Sequence, residues 1–202
     1  MPQPARDTYH HGNLRAALVE AGLELTRTGG PAALSLRDVT RRAGVSPSAA
    51  YRHFADREEL LRAIAQRIQD DMAERMQASP AGALGLSGRE RLRAVGLGYI
   101  GFALRETGWF ETAFFTNNTL PGEAGMPTPL AALVESLDAM VREGDLSPDA
   151  REGAEWPCWS AVHGFALLAL HGPAARLSES ERRAAAARVV DTAITGLTAP
   201  GR

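Results

Sequence analysis

The stretch SLRDVTRRAGVSPSAAYRHFADREEL (35–60) holds three helix starts, one glycine stop and a dense run of ring and guanidinium side chains. Ser35 opens a helical period with Asp38 three places on, close to a capping box. Gly44 stops it. Ser46 opens the next helix with Pro47 at the first helical position, where a missing N–H is no loss. Asp56 and Glu59 start the following one in the same way. Two helices joined by a tight glycine-containing turn have the layout of a helix-turn-helix, whose second helix lies in the major groove of DNA. Residues 47–53 span roughly 10 Å as a helix, against a groove about 12 Å wide.

The side chains fit that layout. Ser46, Pro47, Ser48 and Ala49 are small, so the helix tip can approach base edges closely. Tyr51 and His53 follow at the far end, where a hydroxyl and an imidazole can meet flanking phosphates, or alternatively pack. Phe54 is expected to turn inward as an anchor. Arg57 opens the next helix, and its fork would add to the N-terminal N–H groups as a phosphate site. Ser35 and Arg37 at the head of the preceding helix, with Arg52, complete the candidate DNA-contacting set. Arg41 and Arg42 read as a solvated face that helps electrostatically.

Charge is distributed accordingly. Residues 1–57 contain eight Arg and five acids, whereas 58–202 contain fourteen Arg and nineteen acids, within an overall charge of −2. A basic N-terminal quarter beside an acidic remainder places any polyanion at the first part. There is no Lys, so every side-chain cation outside histidine is an arginine. His10 and His11 are adjacent and cannot share a helical face as metal ligands; they suit an N-terminal arm near a DNA backbone.

The helical period continues along the chain and the strand period is almost absent, so the expected fold is all-α with about nine helices. The first covers 12–28 and stops at Gly29-Gly30-Pro31. The fourth carries Leu60, Ile64, Ile68 and Met72 on one side. SPAGALGLSG (79–88) reads as a loop and 89–106 as the fifth helix, with GWFETAFF (108–115) a short aromatic helical piece. NNTLPGEAGMP (117–127) is too rich in Gly, Pro and Asn for helix. The seventh helix spans 128–143. The eighth is expected from Ser147 to His171, bent near Pro157. The ninth opens at the full capping box Ser178-x-x-Glu181.

Residues 35–60 resemble the DNA-binding domain of TetR-family transcriptional regulators, a helix-turn-helix ending in Tyr-x-x-Phe before an acidic-basic fourth-helix start. With the first helix the resemblance covers about residues 10–75. Thr40 stands where that family usually has Ala, and Ala50 where a larger aliphatic is common, suggesting looser packing between helices two and three. The resemblance implies a homodimer that reads a palindromic operator on double-stranded DNA, most simply as a repressor, with a larger C-terminal domain that binds a small molecule. The expected division is a DNA-binding domain at 1–57, a connecting helix at 57–77, and an effector-binding and dimerisation domain at 78–202.

Within the C-terminal half, Trp159, His163 and Gly164 resemble the Trp–His–Gly signature of one C-terminal domain type in that family. Trp159 and His163, four apart, stack on one face; they either line a cavity or pack the core. Tyr99, Phe102, Trp109, Phe110, Phe114 and Met140 complete the candidate ligand-binding set, which points to a small apolar or aromatic effector held by few polar contacts, His163 and Tyr99 foremost. Glu106 and Glu111 are expected to face solvent. The Ala-rich eighth and ninth helices suit a four-helix dimer interface.

Other classes are disfavoured. GxSxG, HExxH, CxxC, P-loop and dinucleotide motifs are missing, so no catalytic residue, metal or cofactor is assigned. The single cysteine, Cys158, fits a reducing compartment and reads as a redox sensor or a small buried hydrophobe. The longest apolar run, AVHGFALLAL (161–170), is about half a membrane span, and no signal-peptide pattern is seen; a soluble cytoplasmic protein without membrane contact is expected. The competing reading is a ligand-carrying helical bundle or enzyme without DNA binding.

Overall fold

The computed structural model describes residues 14–77, 86–115 and 128–199. Ten α-helices lie among them and no strand: α1 Leu14–Gly29, α2 Leu36–Arg42, α3 Pro47–Ala50, α4 Arg57–Gln77, α5 Gly88–Arg105, α6 Thr107–Phe115, α7 Thr128–Glu143, α8 Pro148–Arg151, α9 Glu155–Leu170 and α10 Glu179–Thr198. The all-helical expectation holds. His10, His11 and the 117–127 stretch fall outside the described residues, as does most of the 79–88 loop.

The starts are chemically defined. Ser35 Oγ accepts from the Asp38 N–H at 3.1 Å, and Ser46 Oγ from the Ala49 N–H at 3.3 Å. The Glu59 N–H donates to Asp56 Oδ1 at 2.7 Å. Ser178 and Glu181 cap each other reciprocally. So do Ser87 and Glu90, which moves the start of α5 to Gly88, one residue before the periodicity places it. At the end of α2, Gly44 adopts φ +68°, and the Val45 N–H reaches back to the Thr40 carbonyl at 3.0 Å. This glycine-dependent stop reverses the chain into α3.

Behind the turn, Val39, Ala50 and Phe54 are buried in one core with Leu18 of α1 and Leu60, Leu61 and Ile64 of α4. Phe54 is fully enclosed, and the Arg15 guanidinium lies 4.9 Å from its ring centroid. Thr40 is buried as well, its hydroxyl donating to the Arg37 carbonyl at 3.0 Å, so its polar atom is satisfied. Leu60, Ile64, Ile68, Met72 and Met76 continue the buried side of α4, which packs on α1 at one end and on α5, α6 and α7 further along. α5 lies at the centre of the remainder, against α7, α9 and α10.

Two expectations need correction. The single bent eighth helix is two helices, α8 and α9, and the break falls at 152–154, where Gly153 has φ +69°. Pro157 is the third residue of α9, in the first turn, where N–H groups have no intrahelical partner and its ring does no damage. The recognition segment is also shorter in regular helix than expected. α3 ends at Ala50, and residues 51–53 form a turn in which the His53 N–H donates to the Ala50 carbonyl at 2.9 Å.

Phe54→Ala is expected to lower the unfolding free energy by about 3–5 kcal/mol, measured by urea titration. A much smaller loss would show that the aromatic ring does not anchor α3.

Candidate nucleic-acid interface and buried pocket

On the outer side of the α2–α3 unit, Arg37, Ser46, Pro47, Ser48, Tyr51 and Arg52 are exposed, and His53 is partly so. Tyr51 is 57% exposed although it is large and aromatic. Neither Arg37 nor Arg52 has a carboxylate partner among the described residues. Ser46 and Ser48 hydroxyls are 3.0 Å apart, so the tip presents two coupled hydroxyls beside the Pro47 ring. This face can donate and accept hydrogen bonds and carries uncompensated positive charge.

Other candidates lie elsewhere. Ala49 is buried at 8% exposure, so the sequence-based expectation that it approaches base edges is wrong: the helical turn points its methyl inward with Ala50. Ser35 uses its hydroxyl as the α2 cap. Arg57 was expected to hold a phosphate, but its Nε donates to the Leu34 carbonyl at 2.9 Å and its Nη2 to the Pro31 carbonyl at 2.6 Å. Its remaining terminal nitrogen pairs with Glu58 at 2.7 Å. Its fork ties the 31–33 turn to the head of α4. Arg41 pairs with Asp38 at 2.8 Å and Arg42 with Glu24, so the two solvated arginines of α2 are largely compensated.

A pocket with ≈ 380 Å³ of empty space, part of which is open solvent, lies in the C-terminal half. Met76 comes from α4. Leu92, Val95, Gly96 and Tyr99 come from α5, Pro129 and Leu133 from α7, Cys158, Trp159 and Val162 from α9, and Val190, Ala193 and Ile194 from α10. Tyr99 and Trp159 are thus the two sequence candidates on its wall. Phe102, Phe110 and Met140 are core residues at 2% exposure or less. Trp109 is committed to α1, and Phe114 and His163 stand beside the pocket in a cluster of rings. The aliphatic wall was missed because Leu, Val and Ile at helical spacing read equally as core; only the approach of five helices separates the two.

The ring cluster is ordered by one hydrogen bond. Tyr99 Oη lies 2.7 Å from His163 Nδ1. Tyr99 is 1% exposed, and burial raises its pKa well above the ordinary range, so the phenol is neutral. Burial lowers the pKa of His163, which favours neutral imidazole. The phenol has no other acceptor among the described residues, so it donates to Nδ1, and the imidazole proton sits on Nε2. Trp159 stacks on His163 at 6.0 Å and 11°. Burial, with Glu155 adding a smaller effect, pushes Cys158 up to about 11, which removes it as a redox-sensing thiolate at neutral pH.

The pocket-bearing helices meet the N-terminal unit at Glu106. This residue is 9% exposed, and its carboxylate accepts from Arg27 Nε and Nη2 of α1, both at 2.8 Å, and from Arg75 of α4 at 3.3 Å. Solvent exposure of this residue was the wrong expectation. Both guanidiniums also lie over Trp109, at 5.1 and 5.5 Å, and the indole N–H donates to the Leu23 carbonyl at 2.8 Å. A Cβ at Gly108 would fall against the Thr26 and Arg27 carbonyl oxygens, so only glycine allows α6 this close to α1. Glu111 is partly exposed and pairs with His171 at 3.1 Å. No group of three or more His, Cys, Asp or Glu among the described residues is placed to hold a metal, and no described helix is long and apolar enough to cross a membrane.

Residues 18–64 match the family model described as "Bacterial regulatory proteins, tetR family", and residues 92–193 match "Tetracyclin repressor-like, C-terminal domain". The chain is 35% identical over 69 residues to the HTH-type transcriptional regulator BetI of Rhizobium meliloti (strain 1021), a match spanning 32% of this chain and 34% of that protein. A solved structure of a protein with unknown function from Rhodococcus sp. RHA1 is 29% identical, covers 96% of this chain and 100% of its own, and superposes with a TM-score of 0.69. The regulator FadR from Bacillus subtilis in complex with stearoyl-CoA shares 13% identity over 90% of this chain and 98% of its own, TM-score 0.69. A TetR variant from Acinetobacter baumannii AYE in complex with minocycline shares 22% over 90% and 94%, TM-score 0.63. These last two show the fold alone.

The Glu106 carboxyl is held below its ordinary 4.5 chiefly by the hydrogen bonds from Arg27, against a smaller opposing effect of burial. A depressed folded pKa contributes stability at neutral pH that fades as pH falls below 4.5 and through the lower folded value. Glu106→Gln is therefore expected to melt below the wild type at pH 7, with the gap closing in acid, as followed by circular dichroism. A gap independent of pH would mean that charge is irrelevant at this junction.

Proposed function

Because the chain belongs to the TetR family of bacterial regulatory proteins, we propose that it is a ligand-responsive, homodimeric transcriptional regulator, most simply a cytoplasmic repressor without enzymatic activity. The observation that carries the reading is the exposed Ser46–Arg52 tip held by the buried Ala50 and Phe54. Ser46, Pro47 and Ser48 face base edges, while Tyr51, Arg52, His53 and Arg37 meet phosphates. One such tip reads too few base pairs for selectivity, so two copies about 34–36 Å apart read a palindrome on double-stranded DNA.

The dimer forms through α9 and α10. Trp156 and Leu168 on α9 are 56% and 49% exposed, and open space surrounds Gly164 of α9 and Gly196 of α10, which allows close packing of the same helices from a second copy. A small apolar effector occupies the pocket between α4, α5, α7, α9 and α10. It acts by binding the DNA-incompetent arrangement better than the competent one, and the Glu106 junction connects the two halves. The domain division follows: 1–57 for DNA, α4 as connector, and 78–202 for effector and dimer.

A gel shift against DNA flanking its own gene tests the reading; absence of any specific complex would favour a ligand-carrying bundle instead. Tyr51→Phe is expected to weaken operator and random DNA alike, roughly tenfold, by removing a hydrogen bond to a charged phosphate. Ser48 substitutions should change which sequence is preferred. Arg57→Ala should act first on thermal stability, because its donors hold the Leu34 and Pro31 carbonyls.

A further inference from the structure

We infer that the pocket admits only uncharged molecules and that the ring N–H of Trp159 receives a single hydrogen-bond acceptor from its occupant. This rests on the proposal that the pocket is the effector site. Among the described residues, its wall carries no Asp, Glu, Arg or free imidazole. Its two ionisable members, Tyr99 and Cys158, are both neutral at pH 7 by burial. Glu155 lies close enough to influence Cys158, but its carboxylate is tied to Arg151 at 2.8 Å. An ion entering would lose its hydration and meet no counter-charge.

Among the described lining residues, the Trp159 indole is the one ring N–H without a partner. Trp109 Nε1 has an acceptor, the Leu23 carbonyl, whereas Trp159 Nε1 has none among the described residues and is not sealed from solvent. Its ring is held by stacking on His163 and by edge contacts with Tyr99 and Phe114 at 5.0 and 5.9 Å. His163 in turn is fixed by the Tyr99 hydroxyl. An unpaired N–H on a residue of an apolar wall discriminates for an oxygen acceptor, because an occupant lacking one leaves the donor unpaired.

Cys158 reports on occupancy, since it is the only thiol of the chain and stands on the wall. With the full-length protein, its labelling rate is measured for neutral methyl methanethiosulfonate and for the anionic sulfonatoethyl and cationic trimethylammonioethyl analogues. Each rate is divided by the rate of the same reagent with the urea-unfolded chain. The neutral reagent is expected to be favoured at least roughly 100-fold over either ion, given the desolvation of an unpaired charge. Protection of Cys158 by acetophenone, ethylbenzene and benzoate then tests the acceptor. Acetophenone should bind about fivefold more tightly than ethylbenzene, benzoate should not protect, and Trp159→Phe should abolish the difference while ethylbenzene still protects.

Equal normalised labelling by ions, protection by benzoate, or a Phe variant that keeps the acetophenone preference would each overturn the inference. Occupancy that leaves a gel shift unchanged would instead overturn the regulatory reading, leaving the pocket chemistry intact.

Discussion

Glu106 cannot sit where it does without Arg27 and Arg75. A carboxylate withdrawn from water must recover its hydration energy from paired charges and hydrogen bonds, and removing one partner of such a set is far more damaging than the set is stabilising. Three segments distant in sequence therefore have to arrive together: the end of α1, the end of α4 and the α5–α6 corner. The rest of the architecture depends on this meeting. It brings both guanidiniums over Trp109, whose indole packs α6 against α1.

Much of the fold was legible because the chain punctuates itself chemically. Ser35, Ser46, Asp56 and Ser178 each announced a helix start that the hydrogen bonds then show, and Gly44 announced a stop that a positive φ explains. Pro157 misled because proline is a strong kink signal only in a helix interior, and the sequence does not say that Gly153 has already restarted the count. Ala49 misled for a different reason. Four small residues in a row look alike, and only the completed turn separates the outward Ser48 from the inward alanine.

Charged residues were the least legible. Arg57, Arg42 and Glu106 were read from neighbours in sequence, whereas their partners lie 23, 18 and 79 positions away. Local pattern has no access to such distances. The aromatic residues divide along the same line: Tyr99 and Trp159 reach the pocket, but Phe102, Phe110 and Trp109 were drawn into packing that no periodicity distinguishes from a ligand wall. The pocket's neutrality emerges only once all five contributing helices are in place.

α4 has one end among the pocket residues, at Met76, and the other at Arg57, clamped to the turn that precedes α2. Its 21 residues make a rod about 31 Å long. Moved as a rigid body, a rod of this length would act as a lever. A sideways step of about 1 Å at one tip swings a rod of that length by roughly 2°. The pocket wall at Met76 and the turn ahead of α2 are thus joined by one continuous helix.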